Sequence, residues 1–326
     1  MMKSLLFTHF EDSVKIVNVE RPGPSKNQVQ IKVEYSALDT GFDEVLQRTW
    51  TGSFIHKLGN PLYLGWHYAG TITEVGSDVK DFKVGDAVFG HLRHAHNTAN
   101  GTLAEYIAVP FDQCAKRPSN VDAKTAAAST TEAMTALQAL RDCGGLQSDE
   151  KSSKHVLVVG AGGGVGSAAV QVAKALGARV TALCSARDEK RVKSYGADVV
   201  LTREQTPDPL QQGVAQYDII FDTPVVLSAS RALKCIKAHG HYIVTLPSWG
   251  FLWGKMTSMF TGKGTHMVEV QPRSADLAIV ADLMSQGKLT ISIDSTYKVK
   301  DIEPALKRQR ERKAGRVVIE VENGWD

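Results

Sequence analysis

His155-Val156-Leu157-Val158-Val159-Gly160-Ala161-Gly162-Gly163-Gly164-Val165-Gly166 decides the fold of this chain. Five residues, four of them apolar and three β-branched, run into a string of glycines, and a helical pattern follows, with Val165, Ala168, Ala169, Val172 and Leu176 on one face. Strand, glycine loop and helix in this order form the turn on which a βαβ unit binds a dinucleotide. The register is Ala161-x-Gly163-x-x-Gly166. In it Gly163 lets the backbone approach a diphosphate, and Gly166 lets the helix pack against the strand. The amides of Gly163, Gly164, Val165 and Gly166 then lie at a helix start, where donors and dipole favour an anion. The alternative is a tight β–α turn that binds nothing.

The dinucleotide is read at the end of the next strand, Arg179 to Leu183. Enzymes that use NAD place an acid about 20 residues past the loop to hold the ribose 2′-hydroxyl. Here the chain continues Cys184-Ser185-Ala186-Arg187, without that acid. Ser185 can donate a hydrogen bond, and Arg187 and Lys190 match a 2′-phosphate dianion. NADPH is the expected cofactor. Asp188 is the residue that a shift of register would bring to the ribose instead.

Outward from the loop, the alternation of strand and helix continues to His241–Leu246, implying a parallel sheet covered on both faces. Before residue 122 the pattern differs. Short alternating strands are expected at Val14–Val19, Val29–Val33, Ala69–Val75, Ala87–Phe89 and Ala104–Val109, punctuated by glycine, as in a compact β-barrel. Pro247 to Gly264 carries Trp249, Phe251, Trp253, Met256, Met259 and Phe260 among glycines. It reads equally as a lid, a subunit contact or an irregular packed loop. Ala275–Gly287 reads as helix, and Arg316–Val321 as a strand returning to the β domain.

The chain has 326 residues, 38 basic and 35 acidic, for a net charge of +3, so no strong overall field draws nucleic acid or an anionic membrane. The basic run Lys307–Lys313 reads as a solvated helix face. Cys114, Cys143, Cys184 and Cys235 are scattered and make no C-x-x-C pair, which leaves no support for a structural zinc site or a disulfide framework. No apolar run spans a membrane, and the first ten residues do not form a signal peptide. A cytoplasmic protein is expected. His91, His94 and His96 could seed a metal site, but no carboxylate or cysteine lies close to them in sequence, and no metal is expected.

These motifs resemble the medium-chain dehydrogenase/reductase superfamily, in its zinc-independent, quinone oxidoreductase-like family. The resemblance rests on Leu64-Gly65-Trp66-His67-Tyr68-Ala69-Gly70, Phe82-Lys83-Val84-Gly85-Asp86-Ala87-Val88-Phe89-Gly90, Gly101-Thr102-Leu103-Ala104-Glu105-Tyr106, Met134-Thr135-Ala136-Leu137, the glycine loop and Gly315-Arg316-Val317-Val318. It implies an α/β protein with a GroES-like β-barrel catalytic domain (residues 1–121 and 288–326) and a Rossmann doubly wound parallel-sheet domain (122–287), with the reacting groups in a cleft between them. It implies hydride transfer to the activated double bond of an enone or to a quinone, and a homodimer. Thr135 and Arg316 match positions near the cofactor. The catalytic cysteine of the zinc relatives would fall near Asp39, and their Gly-His-Glu histidine on Trp66.

Asp39 stands where relatives carry Asn. An anionic Asp cannot donate to a carbonyl, whereas a neutral one can. His67 pairs with Asp39 as a donor dyad or is a structural histidine. Tyr68 protonates an enolate or packs half-buried. Two further functions stand beside the reductase: a cofactor-binding scaffold or redox sensor with little turnover, and an enoyl-thioester reductase.

Overall fold

The computed structural model describes residues 1–8, 13–38, 62–93, 101–147, 154–210, 216–311 and 314–326, with the side chain of Met259 excepted. The described strands and helices, in chain order, are β1 (Met2–Thr8), β2 (Ser13–Val19), β3 (Gln28–Ala37), β4 (Leu62–Tyr63), β5 (His67–Val75), β6 (Ala87–His91), β7 (Tyr106–Pro110), β8 (Cys114–Lys116) and α1 (Ala123–Gln138). There follow β9 (His155–Val159), α2 (Gly164–Ala175), β10 (Arg179–Cys184), α3 (Glu189–Ser194), β11 (Val199–Thr202), β12 (Tyr217–Asp222), α4 (Ala229–Cys235) and β13 (Ile236–Val244). The remainder is α5 (Trp249–Thr261), β14 (Gly264–Met267), α6 (Ser274–Ser285), β15 (Ile293–Lys298), α7 (Ile302–Arg310) and β16 (Arg316–Glu320).

The chain divides into two compact units. The first holds Met1–Thr131, Gln271–Ser285 and Ile291–Asp326, and the second Glu132–Val270 and Gln286–Thr290. In the first unit β3 is central. It pairs with β5 along one edge, and with β7 and β16 in succession along the other, all antiparallel. The sheet order is β15-β16-β3-β5-β6-β8, and β2-β1-β4 forms a smaller sheet. Alternating inward residues such as Ile31 and Val33 build a core with Leu64, Tyr68, Ile107 and Val317. The closing strand β16 thus joins this unit, as the sequence pattern indicates.

The second unit is a parallel sheet in the order β11-β10-β9-β12-β13-β14. The chain runs outward from β9 through β10 to β11, then resumes on the other side of β9 at β12. The strand order therefore reverses between β9 and β12, and ligands of such sheets bind beyond the carboxyl ends of the strands at that point. Strand β9 is buried from Val156 to Val159, and α2 from Gly166 to Ala173. Continuous apolar strands are what helices on both faces demand.

The units differ from the sequence boundaries at two places, for local reasons. Helix α6 groups with the β unit, because Ser274 Oγ donates to the Cys114 carbonyl at 2.7 Å and Asn120 Nδ2 to the Ser285 carbonyl at 2.9 Å. Gln286–Thr290 stays with the parallel sheet, where Gln171 bonds the backbone of Thr290 in both directions. The division on the other side falls inside α1, between Thr131 and Glu132. Pro247–Gly264, which the sequence leaves open between lid, subunit contact and irregular loop, is mostly the helix α5.

Candidate active site

The glycine loop sits at the sheet's switch point. Gly160 leaves β9 with φ +78°, and a Cβ built there would lie 2.6 Å from Thr223 Oγ1, in the turn after β12. That turn is strained: Val225, a β-branched residue, has φ 55°. It is held by Asp222, whose buried carboxylate accepts the amides of Val226 and Leu227 at 3.2 and 2.7 Å and the Tyr242 hydroxyl at 3.0 Å. Burial raises the pKa of Asp222 against the pull of these bonds.

Gly166 is required by contact. A Cβ there would stand 2.2 Å from the Gly160 carbonyl oxygen, so α2 packs on the loop only through glycine. At the start of α2 the Ser167 amide donates to the Gly163 carbonyl at 2.8 Å. The amides of Gly164, Val165 and Gly166 precede it, and they are the donors that a helix start leaves without intrahelical partners. Gly163 and Gly164 are exposed. Open backbone at a helix N-terminus, at the switch point of a parallel sheet, fits the diphosphate of a dinucleotide.

Ala161 does not share in this. It is fully buried, and its amide, like that of Gly160, donates to the Leu183 carbonyl of β10, at 2.9 Å. Its amide is thus engaged in holding the turn.

The end of β10 carries the main surprise. Asp188 is buried against the glycine loop: a Cβ on Gly162 would lie 2.6 Å from its Oδ2. Its carboxylate accepts Ser185 Oγ–H at 2.8 Å, Arg187 Nε–H at 3.2 Å and Arg191 Nη2–H at 2.7 Å. The same Arg191 nitrogen donates to the Gly162 carbonyl at 2.8 Å. Burial works against ionisation of Asp188, but the bonds from Arg191, Ser185 and Arg187 outweigh it and hold the carboxyl below its ordinary value. Ser185 is therefore buried and committed to Asp188. Arg187 is partly exposed and bound through Nε, and Lys190 is exposed on α3.

Sequence reasoning missed Arg191. It lies on the helix side of the turn, outside the strand-end position where cofactor selectivity is normally sought. It also missed Glu132, which is buried, with Oε1 2.4 Å from a Cβ built on Gly164. Glu132 lies 32 residues from that glycine, and no local pattern joins them. Thr135, also expected at the cofactor, is nearly buried one turn further along α1.

The first unit holds the remaining candidates. His67 is fully buried. Its Nδ1 faces the Ala37 carbonyl at 2.9 Å, so Nδ1 carries the proton and Nε2 accepts. Nε2 lies 2.5 Å from Thr131 Oγ1 and 3.5 Å from Arg316 Nη2. His67 Nε2 thus faces a hydroxyl and a buried guanidinium. Tyr68 is fully buried in the core, and its hydroxyl donates to the Gln113 carbonyl at 2.9 Å. Burial pushes its pKa well up. Closed off and committed, Tyr68 fits the packing alternative and not the enolate acid, and it is fully buried where half-burial is expected. Asp39, His94 and His96 lie outside the described residues; His91 is buried, with its ring 6.4 Å from that of His67. Among the described residues no three His, Cys, Asp or Glu side chains assemble as a metal site, and no helix is long and apolar enough to cross a membrane.

A parallel sheet with a glycine cradle at its switch point, joined to an antiparallel β unit closed by both chain ends, defines a two-unit dinucleotide-dependent dehydrogenase or reductase. The comparisons carry this to a family. Residues 25–119 match the alcohol dehydrogenase GroES-like domain, 195–319 a zinc-binding dehydrogenase domain, and 124–239 the alanine dehydrogenase/PNT C-terminal domain. A chloroplast envelope quinone oxidoreductase homolog of Arabidopsis thaliana is 32 % identical over 93 % of each chain. The mitochondrial NAD(P)H oxidoreductase RTN4IP1 of Danio rerio is 30 % identical over 80 % of this chain and 72 % of its own. The structure of a quinone oxidoreductase from Coxiella burnetii has the same fold, with a TM-score of 0.81, 24 % identity and coverage of 98 % and 99 %. The chain belongs to the quinone oxidoreductase-like family of the medium-chain dehydrogenase/reductase superfamily, and is an NAD(P)-dependent oxidoreductase of that type.

Proposed function

We propose that the protein is an NADPH-dependent reductase that delivers hydride to the activated double bond of an enone or to a quinone, without zinc. The observation that carries the cofactor choice is the state of Asp188. A ribose 2′-hydroxyl needs a free acceptor, but this carboxylate already accepts three donors. Two guanidinium groups and one carboxylate leave a net positive charge beside the loop, and Lys190 adds to it. That suits a phosphate dianion and not a neutral diol.

The bound reduced nicotinamide supplies the hydride, which is the hard chemistry. The chain's part is to bind and orient. The amides of Gly164, Val165 and Gly166 hold the diphosphate, Arg187 and Lys190 meet the 2′-phosphate, and Ser185 and Arg191 fix the turn that presents them. Thr135 and Arg316 are cofactor contacts and Asp39 a polar group near the acceptor, as the family resemblance implies. The quinone acceptor is the substrate class in the names of the Arabidopsis and Coxiella proteins. The absence of a zinc requirement rests on Trp66 standing where the zinc relatives carry their histidine ligand, and Asp39 near the position of their catalytic cysteine.

The test is NADPH consumption followed at 340 nm with a panel of quinones and small enones, in the presence of a chelator. Turnover with at least one acceptor is expected. Tight NADPH binding with no turnover on any of them would favour the scaffold or sensor. Turnover confined to enoyl thioesters would make the protein an enoyl-thioester reductase.

A further inference from the structure

Two residues other than glycine have positive φ among the described residues, His239 at 61° and Val225 at 55°. Histidine tolerates that backbone, whereas a β-branched residue adopts it only where its surroundings impose it. Here one buried carboxylate imposes it. Asp222 ends β12 fully buried, and its Oδ1 and Oδ2 take the amides of Val226 and Leu227, which folds the chain back at Val225. The carboxylate is held in turn from the next strand. Tyr242 of β13 is buried and donates its hydroxyl to Asp222 Oδ2 at 3.0 Å, and that hydroxyl lies 3.4 Å from the Leu227 carbonyl. The side chains of Val225 and Leu227 pack on the core of the parallel-sheet unit, and Val226 between them is left 67 % exposed.

The turn is fixed to its neighbours on both sides. Thr223 Oγ1 donates to the Val159 carbonyl at the end of β9 at 2.9 Å, and a Cβ on Gly160 would stand 2.8 Å from Pro224 Cδ. Thr245, the first residue past β13, donates through Oγ1 to the Thr223 carbonyl at 2.8 Å, and Leu246 after it is exposed. The carboxyl ends of β12 and β13 therefore carry two exposed aliphatic side chains, Val226 and Leu246, on a strained frame anchored to the glycine loop. Strain that the surrounding fold maintains marks a place where geometry is used.

A coenzyme gripped by that loop supplies the use. A dinucleotide bound in this way crosses the switch point of the sheet. Its adenosine half meets the turn after β10, on one side of β9, so its other half extends to the opposite side, where β12 and β13 end. The reduced nicotinamide gives hydride from one face of the ring, and transfer needs that face held towards the acceptor. We propose that Asp222 and Tyr242 are positioning residues for the nicotinamide: they set the Val225 turn so that Val226, together with Leu246, forms the apolar surface on which the other face of the ring rests. Their role rests on the glycine loop binding the coenzyme, and it holds for either acceptor.

The experiment is titration of the full chain with NADPH and with adenosine 2′,5′-bisphosphate, the adenosine half of the coenzyme without nicotinamide, followed by calorimetry and by the fluorescence of bound NADPH. Wild type is expected to bind both ligands and to raise the NADPH emission. Val226→Ser alters one exposed side chain, and it is expected to weaken NADPH by about three- to tenfold and to leave the bisphosphate within about twofold. Tyr242→Phe takes the hydroxyl from Asp222 and is expected to give the same pattern, with lower emission per bound NADPH and a lower kcat at saturating NADPH. A purely structural role would weaken both ligands together. The proposal is overturned if Val226→Ser binds NADPH as wild type does and with the same emission, or if Tyr242→Phe weakens the bisphosphate as much as NADPH. Wild type that binds neither ligand would refute the coenzyme site itself, and this role with it.

Discussion

Arg191 Nη2 bonds Asp188 Oδ1 at 2.7 Å and the carbonyl of Gly162 at 2.8 Å, so one guanidinium joins the selectivity turn to the phosphate loop. The pair makes the loop's shape depend on a residue that follows the next strand. It also removes from Asp188 the role an acid at this point would otherwise have, because its oxygens are taken. Arg191→Ala is expected to weaken NADPH binding by about tenfold and NADH binding by less, since it loosens a loop common to both, removes a positive charge from the turn and frees an oxygen of Asp188. Titration calorimetry with the two coenzymes checks this. A loss confined to one of them would mean that Arg191 reads the ribose itself.

Gly166→Ala is expected to abolish coenzyme binding and to cost about 1–3 kcal/mol of stability, because the added methyl would stand 2.2 Å from the Gly160 carbonyl oxygen. Thermal unfolding with and without NADPH measures both effects. A variant of native stability that still binds would refute the close helix–loop packing.

Tyr68→Phe separates packing from catalysis. Removing the hydroxyl leaves the Gln113 carbonyl without its donor, at a cost of about 1–3 kcal/mol. Turnover per folded molecule is expected to stay within about twofold of wild type, since the hydroxyl lies in the core. Urea denaturation and steady-state rates check this, and a stable but inactive variant would restore Tyr68 as a proton donor.

Acid is expected to destabilise the parallel-sheet unit through His266. Burial, with His241 and Lys255 nearby, lowers its pKa to about 4. His241, 3.0 Å away across the β13–β14 edge, is lowered by burial and Lys154. The unfolded chain takes up protons as pH falls through about 6.5, and the folded chain resists until about 4. This contribution is therefore complete above about 6.5 and lost between there and about 4. Urea midpoints at several pH values should fall across that window in wild type, and fall less in His266→Asn. Equal slopes would contradict the assignment.

What the sequence showed and what it hid follow from the range of the interactions. The glycine loop was legible because strand, turn and helix are contiguous, and Val156 to Val159 and Ala168 to Val172 declare their burial by type. The closing strand from Arg316 was legible for the same reason. Glu132 and Arg191 were not, because their relation to the loop exists only once distant segments pack. The two readings of Tyr68, enolate acid or packing residue, were not separable by residue type, because its burial in the core depends on the strands that pair with β5. The helix at Trp249–Thr261 was obscured by its glycines, and its apolar residues carried no sign of pointing outward.

The central claim is that the turn of Ser185, Arg187 and Lys190 beside an already satisfied Asp188 selects the phosphorylated coenzyme. Titration calorimetry of wild type and Arg187→Ala with NADPH and NADH tests it most directly. NADPH should bind wild type at least about tenfold more tightly than NADH, and Arg187→Ala should lose most of that preference with little change for NADH. NADH binding wild type as tightly as NADPH, or more tightly, would contradict it.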